Sequence, residues 1–369
     1  MSRAWLEIDL DAVAQNCSML GSFAAGSELC AVVKADGYGH GAVEVATTAL
    51  GAGASRLAVA QVAEGRQLRE AGIDAPIWVL SQPDPAEFEA VAALDLEPAL
   101  YSREGIELAI AAAGDHRVMT VHLVVDTGMG RVGATGADTI ELAQMIVAAD
   151  ELELGSVWTH LARSEELGHP LNDQQLDRFD AVIEELSAIG IDPPLVHAAN
   201  TAATVSLGRS HLDVVRCGIG LYGCLPGPDL DDLVELRPAM RLVSTVGFVK
   251  RVRAGTAVSY GHRRSLTRDS TLATVPIGYA DGVPRAWWDT GQVLINGERH
   301  GFAGSITMDQ VIVDCGDAEV AVGDEVVFLG AQGGDAISAE EWAEVLGTIP
   351  YEIVCGFGTR LDRVFRGTR

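Results

Sequence analysis

Short apolar runs recur along the first two thirds of the chain, and amphipathic segments separate them. The runs are 29–33, 57–60, 76–80, 98–101, 118–125, 154–159, 194–197 and 212–215. The segments with helical spacing include 63–70, 103–113, 136–149 and 174–188. Continuous apolar runs are typical of parallel strands buried on both faces, and helices usually connect such strands. Eight units of this kind predict a closed (β/α)8 barrel of the TIM type, with an open doubly wound sheet as the alternative.

The two ends of the chain follow a different pattern. Apolar and polar residues alternate at the N-terminus, which predicts a half-exposed strand, and Asp11 is placed to cap a helix that ends near Gly21. After Pro238, turn signals such as Asn296-Gly297 join most of the apolar runs, and Ser338 begins a capping box for one helix near 339–346. The strand-like runs here are 241–249, 271–277, 292–295, 310–314 and 325–329.

This change of pattern predicts two domains. We expect the barrel over residues 1–235 and a mostly β domain over residues 236–369. Residues 1–10 are open to assignment either to the barrel or to a strand of the β domain. The boundary falls in a segment rich in proline, glycine and aspartate, which is typical of a linker.

Composition narrows the classes of function. A chain of 369 residues that is 48% hydrophobic can bury a large core. Its net charge of −26 repels phosphate backbones and anionic lipid, so we expect neither nucleic acid nor a membrane as a partner. The six cysteines form no C-x-x-C pair and no signal sequence is apparent, so we expect free thiols, no metal site and a cytoplasmic location.

Lys34 ends the first apolar run, and glycines follow it at 37, 39 and 41. A lysine at the end of a buried strand changes its pKa readily and could form a Schiff base with a carbonyl. A strand end that reaches solvent is the ordinary alternative. The glycines do not complete a dinucleotide-binding fingerprint, because Ala42 stands where its last glycine should be.

Other polar residues stand at the C-terminal ends of the predicted strands, where barrels of this type place their catalytic groups. They are Asp126, Arg131, His160, Asn200, Thr201 and Arg216. Taken singly, His160 could be a satisfied core histidine and Arg216 a structural ion-pair partner. Phosphate in such barrels is usually held by the loops after the last two strands, where Thr201, Gly218 and Ile219 supply donors. Together with Lys34, this suggests pyridoxal 5′-phosphate (PLP) as the cofactor.

Several stretches of the chain also resemble one known family, in the same order and over nearly the whole length. They are AVVKADGYGHG (31–41), VDTGMGRVG (125–133), WTHLA (158–162), HAANTAA (197–203), VVRCGIGLYG (214–223), VSYGH (258–262), IGYADGVPR (277–285), TMDQ (307–310) and TIPYEIVC (348–355). They closely resemble alanine racemase. The resemblance implies a PLP-dependent isomerase that interconverts L- and D-alanine and supplies D-alanine for cell-wall peptidoglycan.

The resemblance implies a homodimer with active sites at the subunit interface, where Lys34 of one subunit and Tyr260 of the other are opposed bases. The cofactor phosphate would be held by Tyr38, Thr201, Gly218, Ile219 and Tyr351, with Asn200 also on the cofactor. Arg216 would face the pyridine nitrogen, and His160 would link it to Tyr260. Arg131 would contact the cofactor and, with Met308, the substrate carboxylate. Tyr279 and Arg285 resemble residues of the substrate-access corridor.

Some positions depart from the family pattern. Val124 stands where many members have a carbamylated lysine that braces the arginine equivalent to Arg131, so we expect a different support for that arginine. Thr307 replaces a frequent cysteine and Cys217 a frequent proline, and the segment 262–264 is unusually basic. These departures leave the substrate open.

Three alternatives therefore remain. One is a racemase of another small amino acid, such as serine. Another is a barrel-type PLP decarboxylase, which Arg216 opposes, because those enzymes resemble one another in placing a carboxylate at the pyridine nitrogen. The third is a non-catalytic PLP carrier, which resembles the barrel alone and lacks a β domain with a residue such as Tyr260.

Overall fold

The computed structural model of the protein describes residues 3–24, 26–114 and 118–367. The chain folds into two compact units. The barrel unit is Val13–Arg237, and the β unit combines the segment up to Ala12 with the chain from Pro238 onward. Strand β1 (Ala4–Asp9) belongs to the β unit, and helix α1 (Leu10–Phe23) leads into the barrel unit.

In the described part of the barrel unit, one sheet of eight parallel strands is formed. They are β2 (Glu28–Val32), β3 (Arg56–Val59), β4 (Ile77–Val79), β5 (Glu97–Leu100), β6 (Met119–Val124), β7 (Leu152–Trp158), β8 (Val196–His197) and β9 (Val214–Cys217). β9 pairs with β2, and Asp213 and Arg216 donate backbone N–H groups to the carbonyls of Val196 and Ala199, both at 3.0 Å. These bonds close the sheet, and the predicted (β/α)8 barrel is confirmed.

Helical segments follow most barrel strands. They are α2 (Lys34–Tyr38), α3 (Ala42–Gly51), α4 (Val62–Glu70), α5 (Phe88–Ala93), α6 (Arg103–Ala113), α7 (Ala137–Ala148), α8 (Pro170–Ala188) and α9 (Thr201–Ser206). The predicted cap of α1 was wrong by two residues. The carboxylate of Asp9, not Asp11, accepts the N–H of Ala12 at 3.0 Å, and the helix continues past Gly21 to Phe23.

The β unit is built on a mostly antiparallel sheet. The further strands of this unit are β10 (Met240–Thr245), β11 (Phe248–Val252), β12 (Ala257–Val258), β13 (Arg264–Ser265), β14 (Ser270–Val275), β15 (Gln292–Ile295), β16 (Glu298–Phe302), β17 (Val311–Gly316), β18 (Glu325–Gln332), β19 (Asp335–Ile337) and β20 (Asp362–Arg366). Of these, β12 and β13 pair with each other in a separate two-stranded sheet. Helices α10 (Ala339–Leu346) and α11 (Pro350–Cys355) complete it. β1 lies between β10 and β20, so the N-terminal strand is part of this sheet.

The strand predicted over 241–249 is two strands, β10 and β11. The backbone turns between them because Val246 donates its N–H to the carbonyl of Asp324 and Gly247 donates to Thr274, at 2.9 and 2.8 Å. Asn296 and Gly297 have φ of 53° and 82°, as expected for the hairpin turn that their sequence predicts.

Within residues 3–24, 26–114 and 118–367, no helix combines the length and apolar character that a bilayer span requires. Over the same ranges, no group of His, Cys, Asp and Glu side chains is arranged to hold a metal ion.

Candidate active site

The chain leaves β2 through a turn of left-handed helix that begins after Lys34. Ala35, Asp36 and Gly37 have φ of 53°, 53° and 60° with ψ of 51°, 47° and 46°. The N–H of Gly37 donates to the carbonyl of Val33 at 2.9 Å, which closes the turn. Left-handed helical backbone costs about 1–2 kcal/mol for each residue that carries a Cβ. The residues next to Lys34 are therefore held in a strained conformation.

The carboxylate of Glu64 on α4 holds this turn in place. Its Oε1 accepts the N–H of Ala35 at 2.6 Å, and its Oε2 accepts those of Ala60 and Gln61 at 2.8 and 3.0 Å. One carboxylate thus ties the strained turn to the segment between β3 and α4. Strain of this kind persists only where the surroundings fix it, and it is common at functional sites.

Tyr38 and Thr201 meet at Gly218. A Cβ at Gly218 would lie 2.5 Å from the Tyr38 hydroxyl, so only glycine fits there. The Thr201 Oγ1 accepts the Gly218 N–H at 3.0 Å, and Ile219 begins the next turn of the chain. Two hydroxyls and a glycine backbone therefore gather at the C-terminal end of β9, and this set of groups suits an anion such as phosphate.

Asn200 positions Thr201 by capping α9. Its Oδ1 accepts the N–H of Ala203 at 3.1 Å and the hydroxyl of Ser164 at 2.9 Å. The amide is thus fixed by the protein itself, and a direct contact of Asn200 with a cofactor stays a prediction.

Arg216 on β9 is buried, with 4% of its surface exposed. It donates to the Nδ1 of His197 at 2.6 Å and to the carbonyls of Thr159 and Ala198 at 2.9 and 3.1 Å. The Trp158 ring lies against its guanidinium, with the centroid 4.7 Å from Cζ. Burial lowers the pKa of Arg216 only to about 10, so the group stays protonated at neutral pH.

His160 lies beside Arg216, with its Nδ1 3.4 Å from the arginine Nη2. Burial lowers the pKa of His160 to about 3, and the positive charges of Arg216, Arg131 and Lys34 add to this effect. His160 is therefore neutral at physiological pH, and its Nδ1 is free to accept from the arginine. The barrel unit thus brings four predicted site residues into one electrostatic environment.

Arg131 lies exposed on the loop after β6. The carboxylate of Asp126 shapes this loop by accepting the N–H groups of Gly128 and Gly130, at 2.9 and 3.1 Å from Oδ1. Asp126 therefore fixes the backbone that carries Arg131, and this role explains its place at a strand end.

Val124, at the end of β6, is buried in an apolar cluster with Ala99 and Trp158. Leu80 and Tyr101 pack against this cluster. This position at the strand end is thus filled by apolar packing against Trp158, the ring that lies over the Arg216 guanidinium.

In the β unit, the predicted site residues lie on connected loops. Tyr260, Met308 and Tyr279 are 74%, 53% and 42% exposed. The Ser305 hydroxyl donates to the carbonyl of Tyr260 at 3.1 Å, and the N–H of Tyr279 donates to the carbonyl of Thr307 at 3.0 Å. These bonds join the segments that carry the three exposed side chains, and we call these three side chains together the Tyr260 surface.

Two further predicted site residues of the β unit, Tyr351 and Arg285, take no part in those two hydrogen bonds. Tyr351 is partly buried on α11, and Arg285 is exposed. The basic segment 262–264 has a structural role, because Arg264 binds the Asp289 carboxylate at 2.7 Å and lies over the Trp288 ring.

Family models for the N-terminal and C-terminal domains of alanine racemase match residues 8–226 and 239–365. The chain belongs to the alanine racemase family. This confirms the resemblance drawn from the sequence motifs.

Similar proteins span the whole chain. An alanine racemase of Symbiobacterium thermophilum is 44% identical over 370 residues, covering 100% of this chain and 98% of the relative. The crystal structure of alanine racemase from Streptomyces lavendulae has a TM-score of 0.95 at 40% identity, covering 100% and 98% of the two chains. A histidine racemase from Leuconostoc mesenteroides has a TM-score of 0.91 at 30% identity, covering 99% and 98%.

Sequence reasoning missed two features of the candidate site in this family member. Glu64 is the N3 residue of a capping box on α4, but its N-cap is Gln61 rather than serine or threonine, and its contact with Ala35 belongs to another segment of the chain. His122, Ser156 and His197 are polar residues inside apolar strands, and a buried polar group needs a hydrogen-bonding partner. That signal was present in the sequence and could have marked them.

The Glu64 contacts lead to a stability prediction. In Glu64→Gln, the single side-chain oxygen can serve Ala35 or the pair Ala60 and Gln61, but not both. We expect the free energy of unfolding, measured in urea, to fall by about 0.5–1.5 kcal/mol, the net contribution of a hydrogen bond whose partners are in part accessible to water.

Glu70→Gln, an exposed change on the same helix, is the matched control and should leave the unfolding midpoint unchanged. Adding Ala35→Gly to Glu64→Gln should restore about 1 kcal/mol, because glycine adopts the left-handed conformation without strain. A Glu64→Gln protein as stable as the control would contradict the role of Glu64.

Proposed function

We propose that this protein is a PLP-dependent racemase that interconverts L- and D-alanine, and that its D-alanine serves cell-wall peptidoglycan. The observation that carries the proposal is the pairing of a protonated Arg216 with a neutral His160, close to the strand end where Lys34 stands. An arginine offers a pyridine nitrogen only a donor, whereas a decarboxylase of this architecture would need a carboxylate there.

The residues present fit PLP. The cofactor has an aldehyde, a phosphate and a pyridine nitrogen, and Lys34 supplies the amine for the first. The meeting of Tyr38, Thr201 and Gly218 supports a phosphate site, because a Cβ at Gly218 would fill it. Ile219, Asn200 and Tyr351 would complete the cofactor contacts. Arg216 would face the nitrogen, and Arg131 would reach the cofactor oxygen beside the aldehyde.

Racemisation needs a base on each face of the substrate α-carbon. When bound, PLP withdraws the electron pair that proton removal leaves on that carbon. We assign Lys34 Nζ to one face and Tyr260 Oη to the other. His160 accepts at Nδ1 from Arg216, which leaves its Nε2–H to donate to the Tyr260 oxygen and favour the form that takes up a proton.

The substrate carboxylate would be held by Arg131 and Met308, with Tyr279 and Arg285 lining the approach. The side-chain preference rests on the family, in which the Symbiobacterium relative is named an alanine racemase and the Leuconostoc structure a histidine racemase. Alanine is the substrate that most of the similar proteins favour, and serine or histidine are the alternatives.

The exposure of the Tyr260 surface supports a homodimer. Large aromatic and apolar side chains on connected loops usually mark an interaction site. We infer that this surface enters the barrel mouth of a second copy, and that a two-fold axis makes the two sites equivalent. Each site would then combine Lys34 of one subunit with Tyr260 of the other.

The first prediction concerns the cofactor lysine. The chain contains two lysines, Lys34 and the exposed Lys250, so a covalent label is easily located. We expect the purified protein to be yellow, and reduction with borohydride should fix the cofactor on the peptide that contains Lys34. Lys250→Arg is the matched control and should label normally. A label on Lys250 in the unmodified chain would refute the assignment.

The second prediction concerns the substrate. In a panel of pure L- and D-amino acids followed by chiral chromatography, alanine should have a kcat/KM at least about tenfold above serine and histidine. A pocket shaped for a methyl group disfavours larger or polar side chains, while the reaction stays the same. Lys34→Ala measured in parallel gives the background. A higher kcat/KM for serine or histidine would show that alanine is not the preferred substrate.

The third prediction tests the shared site. Lys34→Ala and Tyr260→Phe should each be inactive. When they are mixed under conditions of subunit exchange, about half of the dimers are hybrids, in which one site has both defects and the other has neither. Activity should recover to about one quarter of wild type. Recovery near zero, with exchange verified by differential tags, would mean that each site is built within one chain.

A further inference from the structure

A chain of hydrogen bonds crosses the interior of the barrel and ends on Arg216. It begins at Glu97, the first residue of β5, and continues through His122, Ser156 and His197 on the next three strands. The successive distances between the bonded side-chain atoms are 3.0, 2.8, 2.9 and 2.6 Å. His122, Ser156 and His197 are 2%, 0% and 0% exposed, so water cannot replace any of these partners.

The chemistry of Arg216 sets the direction of this chain. A guanidinium only donates, so His197 must accept at Nδ1 and carry its proton on Nε2. That Nε2–H then donates to the oxygen of Ser156. The Ser156 hydroxyl proton has to point to the Nδ1 of His122, whose Nε2–H donates to the Oε2 of Glu97. Each donor in the chain then has one acceptor, from the Arg216 cation at one end to the Glu97 carboxylate at the other.

The competing arrangement leaves a buried donor unsatisfied. If His122 were an imidazolium, its Nδ1–H would donate to Ser156, which already accepts from His197. The hydroxyl proton of Ser156 would then have no acceptor in this dry interior, which is costly. Burial acts in the same sense, because it lowers the pKa of His122 and holds the pKa of His197 well below its ordinary value.

Glu97 also fixes the ring of His197 by a second route. Its Oε2 accepts the indole N–H of Trp78 at 2.8 Å, and Trp78 stacks on His197 with centroids 4.6 Å apart. Trp158 stacks on the same ring at 5.7 Å. Burial alone would raise the pKa of Glu97, but the hydrogen bonds from His122 and Trp78 keep it below its usual value, so the chain ends on a carboxylate.

We propose that Glu97, at the N-terminal end of the barrel, is a positioning residue for the reaction at the opposite end. It anchors the far end of the chain and thereby holds the ring of His197 in place, with its Nδ1 lone pair aimed at Arg216. The catalytic consequence rests on the proposed function, in which Arg216 faces the cofactor. Because the substrate carboxylate is assigned to Arg131 and Met308, disturbing the chain should lower kcat and leave KM unchanged.

The direction of the chain can be read without any activity measurement. In holoenzyme labelled with ¹⁵N-histidine, two-bond nitrogen–proton correlations distinguish the two neutral tautomers from the imidazolium. We expect His122 and His197 both to be neutral with the proton on Nε2. His122→Gln and His197→Gln assign the two signals. An imidazolium at His122, or a proton on Nδ1 of either ring, would overturn the proposed direction.

The positioning role is tested by kinetics of two variants and their combination. Ser156→Ala breaks the chain in the middle, and Glu97→Gln removes the terminal charge while keeping the shape. Each should lower kcat by about tenfold, with KM for alanine within about twofold of wild type. The double variant should lose no more than the worse single variant, because both changes interrupt the same chain.

Ser210→Ala is the matched control. Ser210 is a fully buried serine of the same unit whose hydroxyl donates to the carbonyl of Leu207 at 2.7 Å, outside the chain. It should keep kcat within about twofold of wild type. Equal kcat for Ser156→Ala and Ser210→Ala, or losses that multiply in the double variant, would overturn the role.

The two proposals fail in different ways. If the protein does not racemise amino acids, every variant including Ser210→Ala will be inactive, and Glu97 then has no catalytic role. The histidine spectrum still decides the direction of the hydrogen-bond chain in that case. If Ser156→Ala does not fold, Glu97→Gln alone decides the role, because its side chain keeps its volume and is 20% exposed.

Discussion

The burial of the Arg216 charge is the constraint on which the barrel interior depends. A guanidinium cannot lose its proton at neutral pH, and an unpaired buried charge would be strongly destabilising. The barrel stabilises it with backbone carbonyls, the imidazole of His197 and the face of Trp158. Polar side chains that would weaken an ordinary barrel core are therefore required here, since they stabilise one buried cation.

The same cation, together with burial, keeps His160 neutral. His160 stays neutral because it is buried and because Arg216, Arg131 and Lys34 are positive. A neutral imidazole can accept a hydrogen bond from the arginine at one nitrogen and donate one at the other. An imidazolium has no acceptor nitrogen and could not do so. In a protein with a net charge of −26, the positive charges of Arg216, Arg131 and Lys34 gather around His160, where the proposed anionic cofactor and substrate carboxylate would need them.

Much of the barrel could be predicted from the sequence, because most strands contain a short apolar run and the ends of these runs then locate the candidate residues. The β unit was harder. The run 241–249 was predicted as one strand, but hydrogen bonds of Val246 and Gly247 to other segments divide it. Strand β20 was missed because its residues alternate between exposed and half-buried and gave no apolar run.

The finer parts of the site depend on contacts that a sequence does not display. The left-handed turn after Lys34 includes Ala35, which has no intrinsic preference for positive φ, and a carboxylate from another helix holds it there. The interior chain depends on the register between strands, which places His122 opposite Ser156. Neither register nor a distant carboxylate can be read from local patterns, whereas the buried polar residues themselves can.

The departure at Val124 from the family pattern that the sequence resemblance implies is consistent with this division of roles. A carbamylated lysine at that position would bring a negative charge beneath the mouth and bind an arginine directly. Val124 has an apolar side chain that packs with Ala99 and Trp158. This packing helps to hold the indole ring that covers Arg216. Support for Arg131 then comes from its own loop, where the Asp126 carboxylate binds backbone N–H groups. The loop thus fixes the backbone of Arg131 while its side chain stays exposed, which leaves the guanidinium accessible to the proposed substrate carboxylate.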